Sequence, residues 1–250
     1  NVTNQGNIDA EAYYGSAYGI YTRNYNGNIG ITNNGDLSAV SSFRGDTFGI
    51  YAQNTYGNVG ITNSGDITTS TYLGYLSIGI YATSQYGDVS VVNSGNIDAE
   101  IINGTVANGI GAFAYNGYVS VNNSGDINAT SGVYAVGIAA GSSKYDVSVI
   151  NSGDLDIYSE GSAVGIRASS LFGDSSVNSA GNINVSSAYS YAYGINSVSS
   201  LGYSTVTNSG DITVNAYYSA VGINAYSKYD VAVANSGVID VSAQLPYSVA

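Results

Sequence analysis

Five aspartates follow the glycine of a phrase that recurs at nearly regular intervals, Asp36, Asp66, Asp126, Asp154 and Asp211, and Asn7, Asn96 and Asn182 take the same place in other intervals. Carboxylates brought together in this way could hold Ca²⁺, which takes oxygen ligands from carboxylates, amides and carbonyls. Asp36 with Asp66, and Asp126 with Asp154, are the candidate calcium pairs. The glycine-rich nonapeptide of calcium-binding repeats is absent, which favours solvated turn acids over a metal site. Paired acids also serve glycoside hydrolysis. Here Arg23, Arg44, Lys144, Arg167 and Lys228 fall in different intervals and no acid pair stands apart, so no enzyme and no cofactor are expected. Arg44-Gly45-Asp46 has the composition of an integrin-binding tripeptide, but a three-residue match carries little weight. Aromatic residues offer a second chemistry. Tyr25, Tyr56, Tyr86, Tyr115, Tyr145, Phe172 and Tyr229, with Leu201 at the equivalent place, each precede a short Val-x-Val segment. Stacked, they would form a ladder whose rings pack on one another or contact a sugar or a second rod. Tyr189, Tyr191, Tyr193, Tyr217 and Tyr218 crowd a variable stretch and suggest a contact surface.

Composition closes other routes. The 250 residues contain no Cys, His, Met or Trp, so thiolate and imidazole chemistry are excluded. Five cations against 17 acids, a net charge of −12, cannot make the basic stripe a nucleic-acid binder needs. No apolar run is long enough to span a membrane as a helix. A hydrophobic share of 44 % is too high for disorder.

The elements that must position these residues come from a repeat. Asn-Ser-Gly-Asp recurs with small changes, its glycines at Gly6, Gly35, Gly65, Gly95, Gly125, Gly153, Gly181, Gly210 and Gly237, spaced 27 to 30 residues apart. Gly-Ile recurs in step from Gly19 to Gly222. Each unit therefore carries three short apolar segments of period two, rich in β-branched residues, which read as strands. One unit cannot close a core. Stacked copies can, each strand pairing with its counterpart in the next coil. The expected fold is all-β: a single right-handed parallel β-helix over residues 1–250, about eight coils with three strands each. At about 4.8 Å per coil the rod would be roughly 40 Å long.

This fold explains the repeated Asn. Asn33, Asn63, Asn93, Asn123, Asn151, Asn208 and Asn235 would stack at one bend, each amide donating and accepting along the column, with Ser179 breaking the set. The glycine two residues later is expected to supply a positive φ.

The sequence Asn-Ser-Gly-Asp-Ile … Gly-Ile-x-Ala … Gly-Asp-Val-x-Val resembles the repeats in passenger regions of Gram-negative autotransporters and related bacterial surface proteins. The likeness covers nearly the whole chain. It implies a β-helix, secretion and display at the cell surface. Within the 250 residues no side domain interrupts the repeats, and the absence of a translocator barrel among them leads us to expect a processed piece, a fragment or a different secreted protein. The chain opens inside a unit, Pro246 falls where the last unit's Gly-Ile would come, and the expectation is a rod uncapped at both ends. Open ends invite stacking. The expectation is a structural extracellular protein, self-associating end to end into a fibre. The alternatives are an autotransporter-like adhesin shaft that binds host or partner surfaces, and a carbohydrate-binding or carbohydrate-active β-helix.

Overall fold

A computed structural model of the chain describes residues 1–245; Pro246 lies outside them. The described residues form a parallel β-solenoid of about eight coils and contain no helix. Three sheets run the length of the solenoid, with nine, nine and eight strands, and every strand pairs in parallel with its copies one coil away. One coil shows the plan: Val89–Asn93 lies in the first sheet, Ile97–Ile101 in the second and Val106–Ala114 in the third.

Alternation builds the core. Val89 and Val91 point inward and Ser90 and Val92 outward; Ile97, Ala99 and Ile101 point inward and Asp98 and Glu100 outward. The inward residues meet chemically similar residues in register, Ile97 lying between Ile67 and Ile127. Each fully buried Ile contributes about 2 kcal/mol of transfer free energy. The third sheet departs from strict alternation. Asn108 pairs with Ile78 and Ile110 with Ile80, while Gly109 between them has no register partner. A side chain on Gly109 would overlap Ile127 Cγ2 and stand 2.7 Å from the Gly137 carbonyl oxygen. The glycine of each Gly-Ile pair thus lets the third sheet close onto the second.

The bend between the first and second sheets is held by the asparagine column. Nδ2 of Asn33 donates to Asn63 Oδ1 at 2.7 Å and to the Gly35 carbonyl at 2.6 Å. The pattern continues through Asn63, Asn93, Asn123 and Asn151. Asn4 heads the column, donating to Asn33 Oδ1; its place two residues before Gly6 marks it in the sequence. At Ser179 the column fails. Asn151 Nδ2 reaches Ser179 Oγ only at 3.5 Å, and Oδ1 of the next rung, Asn208, is buried without a partner. Ser179→Asn restores the missing donor and acceptor, and should raise stability by about 1–2 kcal/mol in a denaturant titration. No gain would mean that the gap costs nothing.

The turn glycines serve a different purpose from the one expected. Among the described residues, positive φ occurs only at Gly15, Gly27, Gly45 and Gly57, none of which belongs to an Asn-Ser-Gly-Asp turn. Coil spacing decides the residue type instead. A Cβ on Gly95 would overlap the Gly65 carbonyl oxygen and stand 2.5 Å from the Gly65 carbonyl carbon. Stacked turns come too close for any side chain.

The other two bends carry hydroxyl columns that the sequence analysis did not single out. At the bend from the third sheet to the first, Ser84, Ser142, Ser170 and Ser199 each donate to a carbonyl of the preceding coil. At the bend from the second to the third, Ser41, Thr71, Ser131 and Ser187 do the same. The variable stretch there is also stacked by backbone bonds, such as Ile102 N–H to Thr71 O and Tyr189 N–H to Glu160 O.

Candidate functional site

The acid column is part of the backbone bonding. Asp36 Oδ1 accepts the N–H of Asp66 at 3.0 Å, Asp66 that of Asn96 at 2.8 Å, and Asn96 Oδ1 that of Asp126 at 3.0 Å. Asp126, Asp154, Asn182 and Asp211 continue the series. Each rung needs only an acceptor oxygen, which is why Asp and Asn interchange. Asn28, Asn58, Asp88, Asp146 and Asp174 repeat the device at the bend before the first sheet. The column is not built as a calcium cage: carboxylates adjoin at most in pairs, one oxygen of each already accepts a backbone N–H, and no group of three or more Asp, Glu, His or Cys side chains occurs among the described residues. Asp66→Asn should therefore leave the thermal midpoint unchanged or slightly raised at low salt, because it removes repulsion from Asp36. Asp66→Ala should cost about 1 kcal/mol. Equal losses for both would refute the acceptor role. In Arg44-Gly45-Asp46 the Asp46 carboxylate is likewise committed, its Oδ1 accepting the N–H groups of Tyr75 and Leu76 at 3.0 Å.

The expected aromatic ladder is broken by register. Asn26, not Tyr25, aligns with Tyr56. The amide bonds of Tyr115 and Asn116 to Ser84 and Gln85 align Asn116, not Tyr115, with Tyr86. Tyr145 takes the place of the bend glycines, lying under Gly173 as Gly57 lies under Gly87. Only Tyr56 and Tyr86 stack squarely, with centroids 4.9 Å apart and planes at 5°. Tyr25 meets Tyr56 edge-on, Tyr145 pairs with Tyr118, and Tyr229 with Tyr203.

A more continuous aromatic surface lies on the outer face of the third sheet. Tyr21, Tyr51 and Tyr81 stand in one register row and stack at 5.1 and 5.3 Å. Tyr18 and Phe48 form a second row beside them, stacked at 5.2 Å with planes at 3°. These rings line an open groove of about 500 Å³ together with Leu76, Ile78 and Asn108. Burial pushes the Tyr81 hydroxyl above the usual tyrosine range. Tyr51 is raised by burial first and then by Tyr81, Tyr21 and Tyr18. A raised phenol keeps its proton in the folded state, so the stability these hydroxyls contribute is present through neutral pH and lost only as pH climbs past the tyrosine range. Farther along the same face, Val136, Ala139 and Val164 are buried outside the solenoid interior beneath Phe113, Tyr134 and Tyr193. Tyr191 and Tyr193, read above as part of the variable stretch, belong to the strand Tyr191–Ser199 of this sheet.

The face is aromatic, with phenol hydroxyls, Asn108 and the Asp46 carboxylate set among the rings, a mixed composition that suits a binding surface. Among the described residues no helix is long and apolar enough to cross a membrane. No family model matches the chain, and neither does any curated protein or solved structure.

Proposed function

We propose that the chain is a non-enzymatic structural rod of a secreted bacterial surface protein, and that it binds saccharide through the outer face of its third sheet. The supporting observation is the double aromatic row Tyr18–Phe48 and Tyr21–Tyr51–Tyr81 over the 500 Å³ groove. A peptide partner that adds a strand needs an open strand edge. This face offers none, because its strands are paired coil to coil along the rod. Sugars present C–H faces and hydroxyls, which suit aromatic rings with phenol and amide groups between them.

The test is a glycan array probed with the wild-type chain and with Tyr21→Ser/Tyr51→Ser/Tyr81→Ser, both checked for equal melting. Loss of the wild-type signal in the triple variant supports the proposal. An array with no bound glycan, or a variant that binds as well as wild type, overturns it. The exposed aromatic area also favours a second reading, self-association of rods side by side through the same rows. Concentration-dependent assembly that the triple variant abolishes, without glycan binding, would establish that reading instead.

A further inference from the structure

Resting on that reading, we infer that the groove around Arg167 recognises a carboxylate-bearing sugar, of the uronic-acid class. The tyrosine row of the first coils does not continue along the rod: in register it runs Tyr51, Tyr81, Gly111, Ala139, Arg167 and Asn196. One cation thus replaces the ring in a row otherwise uncharged beyond Tyr81. Arg23 and Arg167 are the only cations in the third sheet's strands, in a chain with five cations in all.

The surroundings of Arg167 form a groove of about 370 Å³ lined by Tyr134, Val164, Tyr191, Tyr193 and Asn196. Val164 is buried and gives an apolar floor. The tyrosines give the walls. Asn196 Oδ1 is taken by Asn224 Nδ2 at 2.9 Å, so the Asn196 amide NH₂ is the donor left for a ligand. The inventory matches one sugar ring that carries one acid: rings for its C–H faces, an amide for a hydroxyl and a guanidinium for the carboxylate. Guanidinium holds carboxylate through two parallel hydrogen bonds, a geometry Lys cannot reproduce. A single Arg fits a single carboxylate, whereas a sulfated or phosphorylated polymer would call for a cluster. On a chain of net charge −12 a local cation is also what admits an anion at all.

The experiment compares a diuronide with its methyl ester, which keeps the shape and removes the charge, by calorimetric titration. Wild type should bind the acid at least about tenfold more tightly than the ester, the worth of one charge-assisted contact. In Arg167→Gln that ratio should fall to about one; Arg167→Lys should keep part of it. Tyr193→Ala should weaken acid and ester alike. An ester that binds wild type as well as the acid, or an Arg167→Gln variant that keeps the ratio, overturns the inference. A blocked glutamyl dipeptide that binds as tightly as the diuronide would show that the site reads any carboxylate, and overturns the sugar assignment. The Tyr21, Tyr51 and Tyr81 rows lie at least three coils away, so the failures separate. Array binding lost in the triple variant, with no acid preference at Arg167, sinks this inference alone; wild type that binds no saccharide sinks both.

Discussion

Gly95→Ala should destabilise the protein by about 3 kcal/mol or more, lowering the thermal midpoint by about 6–12 °C. The added methyl would overlap the Gly65 carbonyl oxygen, 2.5 Å from the carbonyl carbon and 3.1 Å from the Asp66 nitrogen. All three are backbone atoms in a neighbouring turn that is itself fixed by hydrogen bonds above and below. No side chain can swing aside, so two coils must separate or the turn must deform. Gly60→Ala is the internal control. Gly60 lies on the outer side of the first sheet, where a methyl would meet only the Ile29 carbonyl oxygen at 4.0 Å. That change should be neutral or stabilising by a few tenths of a kcal/mol, through the entropy of the unfolded chain. Paired denaturant titrations decide the matter. If both glycines respond alike, the turn glycine is not there for want of space.

The contrast also shows what kind of information the repeat carries. Gly95 and its counterparts were legible as turn residues from spacing alone. Their reason was not, because a φ preference is a property of one coil and the clash is a property of two. The aromatic residues depart from expectation for a different reason, a one-residue offset within each coil. Tyr115 and Tyr145 look equivalent to Tyr86, yet they stand four and two residues before the following valine where Tyr86 stands three, and the bend has one length in these coils. Backbone register, not nearness in sequence, decides which rings meet. The Tyr18-Gly19-Ile20-Tyr21, Phe48-Gly49-Ile50-Tyr51 and Ile78-Gly79-Ile80-Tyr81 segments were visible throughout. Strict alternation would place Tyr18 on the same side as Ile20, inside the solenoid. The unpaired glycine between them shifts the alternation and turns Tyr18 outward, beside Tyr21. That shift is what creates the aromatic face, and a period-two reading of the segment hides it.

The asparagine column was legible in full except for its consequences, and Asn93→Ala brings those out. Asn93 is buried to 1 % exposure and lies in the middle of an unbroken run. Removing its amide strands three partners: one Asn63 N–H that donated at 2.7 Å, the Asn123 Oδ1 side of a 2.8 Å bond, and the Gly95 carbonyl it capped at 2.7 Å. Each abandoned buried group costs about 1–3 kcal/mol. The expected loss is therefore about 4 kcal/mol, larger than for an ordinary surface hydrogen bond. Asn93→Asp separates shape from hydrogen bonding. It preserves volume and the acceptor for Asn63, but presents a carboxylate oxygen to Asn123 Oδ1 where a donor stood. Burial disfavours the ionised form, so the folded-state pKa of the new acid lies above its unfolded value. The folded state then binds the proton more tightly than the unfolded one, and stability falls as pH rises above the unfolded carboxylate range. Asn93→Asp should accordingly melt near Asn93→Ala at pH 7 and recover toward wild type in acid, where the protonated carboxyl can donate to Asn123. A variant with no pH dependence beyond that of wild type would show that the column tolerates a missing donor, and that Ser179 interrupts it without cost.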